Sequence, residues 1–259
     1  MRVIDNVKYE EVFLIKFLEQ LDIELEYKRL DDKDDKLIVE AAKCLAETFA
    51  GVTVNKETIS EPMVQAVHLS IDDFNEFVYN YMKNVVEQGL CYIATNRKNS
   101  RIIGVLACED FNPDDEIPHF TDNLEPMNKI CELLEDLDKR LLETIYLKTN
   151  KKIKKNEFVH MFMIGVRSDK LKKEIAKDLV KICEDDAIKR GYKGMFLEAT
   201  NIKSAKLISK YFEFENVYDN EGALIHTNYK DTEYFKDIPP EKSVDCKLFY
   251  KALDPEYNI

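Results

Sequence analysis

The segment 158–166, FVHMFMIGV, is apolar almost without a break. A run of this length suits a strand, and a strand with no polar face has to be covered on both sides. The chain must therefore fold into layers around a sheet, with this strand near its middle. The downstream segments agree. Ile175, Ala176, Leu179, Val180, Ile182, Cys183 and Ala187 fall on one face of a helix that stops at Arg190-Gly191. Segment 195–199 (MFLEA) reads as the next strand and 204–212 as another helix.

The upstream part supplies the rest of the layers. Residues 9–21 carry a helical stripe, and 23–30 (IELEYKRL) alternate apolar and charged residues like a strand with one wet face. A helix comes next, opening on acidic residues and closing at Gly51, with Leu37, Ile38, Ala41, Ala42, Leu45 and Phe49 on one face. A polar loop containing Ser60-Glu61-Pro62-Met63 leads to a helix over 70–87, then to two apolar runs, 90–95 and 102–108, joined by NRKNS as an antiparallel hairpin. Residues 111–121 read as loop, 122–146 as helix and 147–157 as a basic loop. The tail offers short strands at 217–218, 223–227 and 244–250. No repeat or low-complexity linker divides the chain. The expectation is one mixed α/β domain over 23–252, an N-terminal helical extension over 1–22 and a tail over 253–259.

Composition narrows the function. The chain has seven glycines in 259 residues, at 51, 89, 104, 165, 191, 194 and 222, and no two of them write G-x-G. Neither the dinucleotide-binding G-x-G-x-x-G nor the phosphate loop G-x-x-x-x-G-K-[ST] is present. Fifty acidic against 38 basic residues give a net charge of −12, which opposes nucleic acid as a partner and suits a cationic small molecule. The apolar runs are too short to span a membrane, and MRVIDNVKY is not a secretion signal, so a cytoplasmic location is expected. The six cysteines contain no C-x-x-C and read as reduced core thiols, while His68, His119, His160 and His226 stand apart, so no metal is expected.

The order of elements around the central strand resembles the GCN5-related N-acetyltransferase (GNAT) superfamily. Aligned at Val166, that group's cofactor-loop pattern places Ser168 at its proline, Leu171 at its arginine, Lys172 and Glu174 at its glycines and Ala176 at its last small residue. Downstream, RGYKGMFLEATNIKSAKLISKYFEFENV is similar to the pattern that leads to the superfamily's closing Gly-Phe, which is Glu213-Phe214 here. Within the superfamily the chain resembles the insect-type arylalkylamine, or dopamine, N-acetyltransferases. Glu61-Pro62-Met63, the helical insert over 112–157 and the tail IHTNYKDTEYFKDIPPEKSVDCKLFYKAL carry that likeness. The resemblance implies a single α/β (α+β) GNAT domain, with a mixed, mostly antiparallel sheet and a helical insert before the central strand.

It also implies a chemistry: transfer of an acetyl group from acetyl-CoA to the primary amine of a small molecule. The cofactor would lie along Met163, Ile164, Gly165 and Val166, where two parallel strands splay apart and a backbone N–H polarises the thioester. It would continue along Leu171, Lys172, Lys173, Glu174, Ile175 and Ala176 at the helix start, with Asn201 beyond. Lys170, Lys172, Lys173 and Lys177 would supply charge for the phosphates, although the same lysines read equally well as a solvated helix face. Glu61 matches the general base, or else forms with Pro62 a plain helix-start pair. The leaving thiolate falls to Thr200 and Ser204, or to Ser209 where many members carry a tyrosine; Thr200 or Asn201 also suits a helix cap. Phe49, Tyr92, Phe162 and Tyr229 would line an aromatic acceptor pocket if they converge, and otherwise read as core. The expected partner is a small amine, aryl or polyamine, with the protein a monomer or weak dimer. The alternative is a GNAT-fold binding or regulatory module whose altered loop no longer holds acetyl-CoA.

Overall fold

The computed structural model describes residues 24–54, 57–167 and 172–259. The expected helix over 9–21 lies outside them. An eight-stranded sheet runs in the order β1 (Leu25–Arg29), β4 (Tyr92–Asn96), β5 (Arg101–Phe111), β6 (Phe158–Val166), β7 (Gly194–Ala199), β10 (Asp245–Ala252) and β8 (Glu215–Asn216), with β9 (His226–Asn228) also on β10. Every pairing is antiparallel except β6 with β7. The most apolar segment of the sequence is thus the central strand, bounded as its composition predicts.

One face of the sheet is covered by α1 (Asp35–Ala50), α3 (Ile71–Val85) and α4 (Met127–Thr149), with Ile38, Leu45, Phe74, Met82, Leu137 and Phe158 in the shared core. The other face carries α5 (Lys172–Arg190) and the short α6 (Ile202–Leu207); Ile175, Leu179 and Cys183 of α5 pack there with Met195 and Phe249 of the sheet. Local chemistry sets the helix limits. Asp34 caps α1 by accepting from Leu37 N at 3.1 Å, and Ser70 caps α3 by accepting from Asp73 N at 3.0 Å. Asn150 ends α4 in the left-handed conformation that Asn tolerates, at φ 55°.

Two local expectations need correction. The stretch after Gly51 is not a plain loop: Val52–Val54 (β2) and Glu57–Ile59 (β3) form a separate antiparallel hairpin, and Pro62–Ala66 is a short helix, α2. Each element is too short to show a period in the sequence. The helix expected over 204–212 starts at Ile202 and changes character midway, from α6 to a π-helical turn over Ile208–Phe212. Glu213 then sits at φ 60°, the left-handed region that favours glycine, at the position matching the superfamily's closing glycine. Among the described residues, no helix is long and apolar enough to cross a membrane, and no cluster of His, Cys, Asp and Glu could hold a metal ion.

Candidate active site

β6 and β7 are bonded only at Phe158–Gly194, Val159–Met195 and His160–Phe196. Beyond that point β6 stays with β5 as far as Val166 opposite Gly104, while β7 stays with β10 as far as Ala199 opposite Lys247. The two parallel strands therefore form a fork. Its cause is visible in the β5–β6 register, where Glu109 faces His160 but Ala107 faces Met163. Two steps along β5 match three along β6, which is the signature of a β-bulge at Met161-Phe162. The bulge breaks alternation: Phe162 and Met163, although neighbours, both pack on the α1 face, whereas Met161 and Ile164 pack on the α5 face. The irregularity lies at Met161-Phe162, not at Gly165. That glycine is a packing accommodation, because a Cβ there would lie 2.2 Å from Thr48 Oγ1 and 3.1 Å from Leu45 Cδ2 of α1.

Glu61 stands at the open end of this fork. It is 7% exposed, caps α2 by accepting from Val64 N through Oε2 at 2.7 Å, and its own N–H donates to Phe49 O at 2.8 Å. The helix-start role read from Glu61-Pro62 is therefore present. Its other oxygen, Oε1, is buried with no well-formed hydrogen bond. Burial pushes the carboxyl pKa up, while the N–H groups of Val64 and Met63 and the nearby Thr200 hydroxyl pull it down; burial prevails. Tyr229, buried beside it, donates from its hydroxyl to Thr200 O at 2.7 Å.

The residues expected around the leaving group separate. Thr200 follows β7 directly and lies against Glu61. Asn201 caps α6 through Ser204 N at 2.8 Å, and Ser204 Oγ donates back to Asn201 O at 2.9 Å, so Thr200 lies before the helix and does not share a helical turn with Ser204. Ser209, exposed, has only a 3.5 Å contact to Lys206 O and sits in the π-helical turn. Phe49 and Phe162 are joined through Phe74, Phe77 and Tyr81 in one aromatic array, with Phe162 and Tyr81 centroids 4.7 Å apart. Tyr92 does not join it; it lies on the opposite face and donates to Asp186 at 2.8 Å.

At the cofactor end, Ser168, Lys170 and Leu171 lie outside the described residues, and α5 begins at Lys172. Ile175 and Ala176 are buried core residues, not surface contacts; Ile175 packs on Gly104, where a Cβ would come within 2.7 Å. Glu174 is half-buried and acts electrostatically on Tyr27 of β1. Arg167 is committed to Glu47 at 2.7 Å and Ile102 O at 2.9 Å, and Lys173 lies 4.1 Å over the Tyr211 ring. Lys177 is exposed. The open edges of the fork, with the start of α5 beside Val166, fit an extended thioester with a phosphate tail.

One cluster was missed. His160, read as an isolated histidine, is buried between Glu109 (Nδ1 to Oε1, 2.8 Å) and Glu198 (Nε2 to Oε2, 2.9 Å), and stacks on Phe196 at 4.6 Å. Asp138 of α4 adjoins Glu198. The available signal was a charged residue at an inward position of each of three apolar strands.

No protein-family profile matches the chain, and neither does any curated protein. Solved structures do. Arylalkylamine N-acetyltransferase 2 from Aedes aegypti superposes with a TM-score of 0.66 at 18% identity, covering 89% of this chain and 99% of that one. The C-terminal condensation domain of Ebony, solved with beta-alanyl-dopamine, gives 0.57 at 15%, covering 89% and 99%. An agmatine N-acetyltransferase, in an apo mutant form, gives 0.55 at 14%, covering 88% and 99%. The chain thus has the GNAT acetyltransferase fold. Within that fold it is similar to insect arylalkylamine N-acetyltransferases over nearly their whole length.

Proposed function

We propose that the chain is an acetyl-CoA-dependent N-acetyltransferase that acts on the primary amine of a small molecule, of the arylalkylamine or polyamine class. The observation that carries this reading is Glu61: a buried carboxylate, fixed by a helix cap through one oxygen and unpartnered at the other, beside the open end of the β6–β7 fork. Acetyl-CoA supplies the thioester carbonyl when bound. The free edge of β6 beyond His160 offers backbone N–H groups to that carbonyl, already oriented by pairing to β5. An amine arrives as an ammonium; a carboxylate in a dry site attracts it and takes one proton, which frees the lone pair to attack the thioester carbonyl, and the tetrahedral adduct then expels the thiolate, which takes the second N–H proton to leave as free thiol. Thr200, which follows β7 and lies against Glu61, is the hydroxyl that would pass this proton to the leaving sulfur on this reading. The array from Phe49 to Phe162 supports an aromatic acceptor.

The second reading, a binding module without catalysis, is favoured by a specific observation: Arg167 and Lys173 are already engaged by Glu47 and Tyr211. Release of free thiol from acetyl-CoA, measured against phenylethylamines, indolylethylamines, agmatine and spermidine, separates the two. The enzyme reading expects saturable release with one class. No release with any of them, in folded protein that also fails to bind acetyl-CoA at millimolar concentration, supports the module.

A further inference from the structure

The fork in the sheet has a side-chain fastening as well as an opening. Backbone pairing between β6 and β7 ends at His160–Phe196, yet His160 reaches past that point to Glu198, two residues farther along β7. On its other side it holds Glu109 of β5, beside the bulge. One imidazole therefore ties three adjacent strands together at the step where two of them part. The side chains of His160 and Glu198 are 6% and 3% exposed, so the bond to β7 is dry, while Glu109, 27% exposed, reaches the edge of the core.

The groups facing this tie come from every packed element. Glu109 comes from β5, Glu198 from β7, Asp138 from α4, Tyr81 from α3 on the Glu109 side, and Cys246 from β10. Burial by itself drives the imidazole pKa down, but the Glu198 and Glu109 carboxylates outweigh it and hold His160 protonated well above the usual range. Burial and the Glu198 charge push Asp138 up, so it stays neutral; burial also raises Glu198, but His160 overrides it and keeps that carboxylate ionised. A cation between two anions, backed by a neutral acid, is the arrangement in which both His160 bonds are charge-assisted.

We infer that His160 is a positioning residue, an imidazolium clasp from Glu109 to Glu198 that fixes the width of the β6–β7 fork and so the place of the thioester carbonyl against β6. It acts through the strands and touches neither substrate. The inference rests on the proposed acetyl-CoA reading for its effect on turnover, but the clasp itself is readable without substrate.

The test has two arms. In the first, 15N NMR of the histidine side chains is followed with pH in the unliganded protein. His160 is expected to keep both ring nitrogens protonated from about pH 6 to about pH 9, through the range where an ordinary histidine titrates. A neutral His160 ring at pH 7 overturns the inference, whatever the enzyme assays show. In the second, Glu198→Gln keeps the shape of the acceptor but removes its charge. Its kcat is expected to fall by up to about 100-fold, the effect of a misplacement near 1 Å. A new loss of activity should also appear as pH rises and the weakened imidazolium deprotonates, and Glu198→Asp should remove that alkaline loss and restore the wild-type profile. A purely structural role would lower thermal stability but leave the pH profile of kcat with its wild-type shape, and that result overturns the clasp. Should Glu198→Gln not fold, the NMR arm decides. Absence of turnover in the wild-type protein refutes the acetyltransferase reading and leaves the NMR arm standing.

Discussion

Replacing Glu61 by Gln tests the base role cleanly, because the structure lets the cap and the chemistry be separated. The cap is one bond, Val64 N to Oε2 at 2.7 Å, and an amide oxygen can accept it as a carboxylate does. Glu61→Gln should therefore fold and bind acetyl-CoA as the wild type does. Without a proton acceptor, turnover should fall by roughly 10²–10⁴-fold, the usual contribution of a positioned base. Glu61→Ala loses the cap as well, which costs about 1 kcal/mol and lowers the melting temperature by about 2–4 °C for a domain of this size. The pH dependence has a definite sign. Burial raises the Glu61 pKa, and a base works only when deprotonated, so kcat/KM should climb with pH through a limb above the ordinary carboxylate range. Linkage runs the other way for stability: the folded state holds this proton more tightly, so its contribution is fully present at low pH and is lost as pH rises through the shifted pKa. Glu61→Gln should remove both trends. Thiol-release kinetics across pH, alongside calorimetric binding of acetyl-CoA, reads them. Turnover within threefold of wild type, or an unmoved acidic limb, would falsify the base assignment.

Two further outcomes rest on packing. Gly165→Ala should destabilise by about 1–3 kcal/mol by forcing α1 off β6, and Thr48→Ala in the same chain should recover much of that, because Thr48 Oγ1 is the atom 2.2 Å from the new Cβ; an unchanged chemical-denaturation midpoint would show that α1 yields freely. Burial pushes the Cys44 and Cys91 thiols up to about 12, and Cys108, Cys183 and Cys246 are also buried. The native protein should accordingly resist a thiol reagent at neutral pH and take up label only on unfolding, and fast labelling of these five would contradict the placement of the core.

The sequence made much of this legible, for identifiable reasons. The central strand, α5 and the β4–β5 hairpin are long enough for their apolar pattern to set their type, although β5 runs on to Phe111, past the expected limit at Cys108, where Glu109 and Asp110 interrupt the apolar run. The family likeness located Glu61, whose role as a cap was visible from Glu-Pro alone. The β2–β3 hairpin was hidden because three-residue strands leave no period. The bulge was hidden because it is a mismatch between two strands: nothing in FVHMFMIGV marks Met161-Phe162, and the visible oddity, Gly165, serves α1 instead. Tyr92 was misassigned since an apolar strand does not declare which of its residues face which layer. His160 stands for the largest gap. Its partners come from positions 109, 138 and 198, and only the fold brings them together. Conversely, the unusual residues of the cofactor loop were obvious in sequence, yet Ile175 and Ala176 turn out to owe their identity to the core beneath α5.

Catalysis at the fork requires, before anything else, that acetyl-CoA bind there. Isothermal titration of the full chain with acetyl-CoA, without amine, tests this directly. Saturable one-to-one binding is expected, with amide signals of the β6 segment from Met161 to Val166 shifting in a parallel NMR titration. No heat and no shifts at millimolar acetyl-CoA, in protein that is folded, would rule out the fork as a cofactor site.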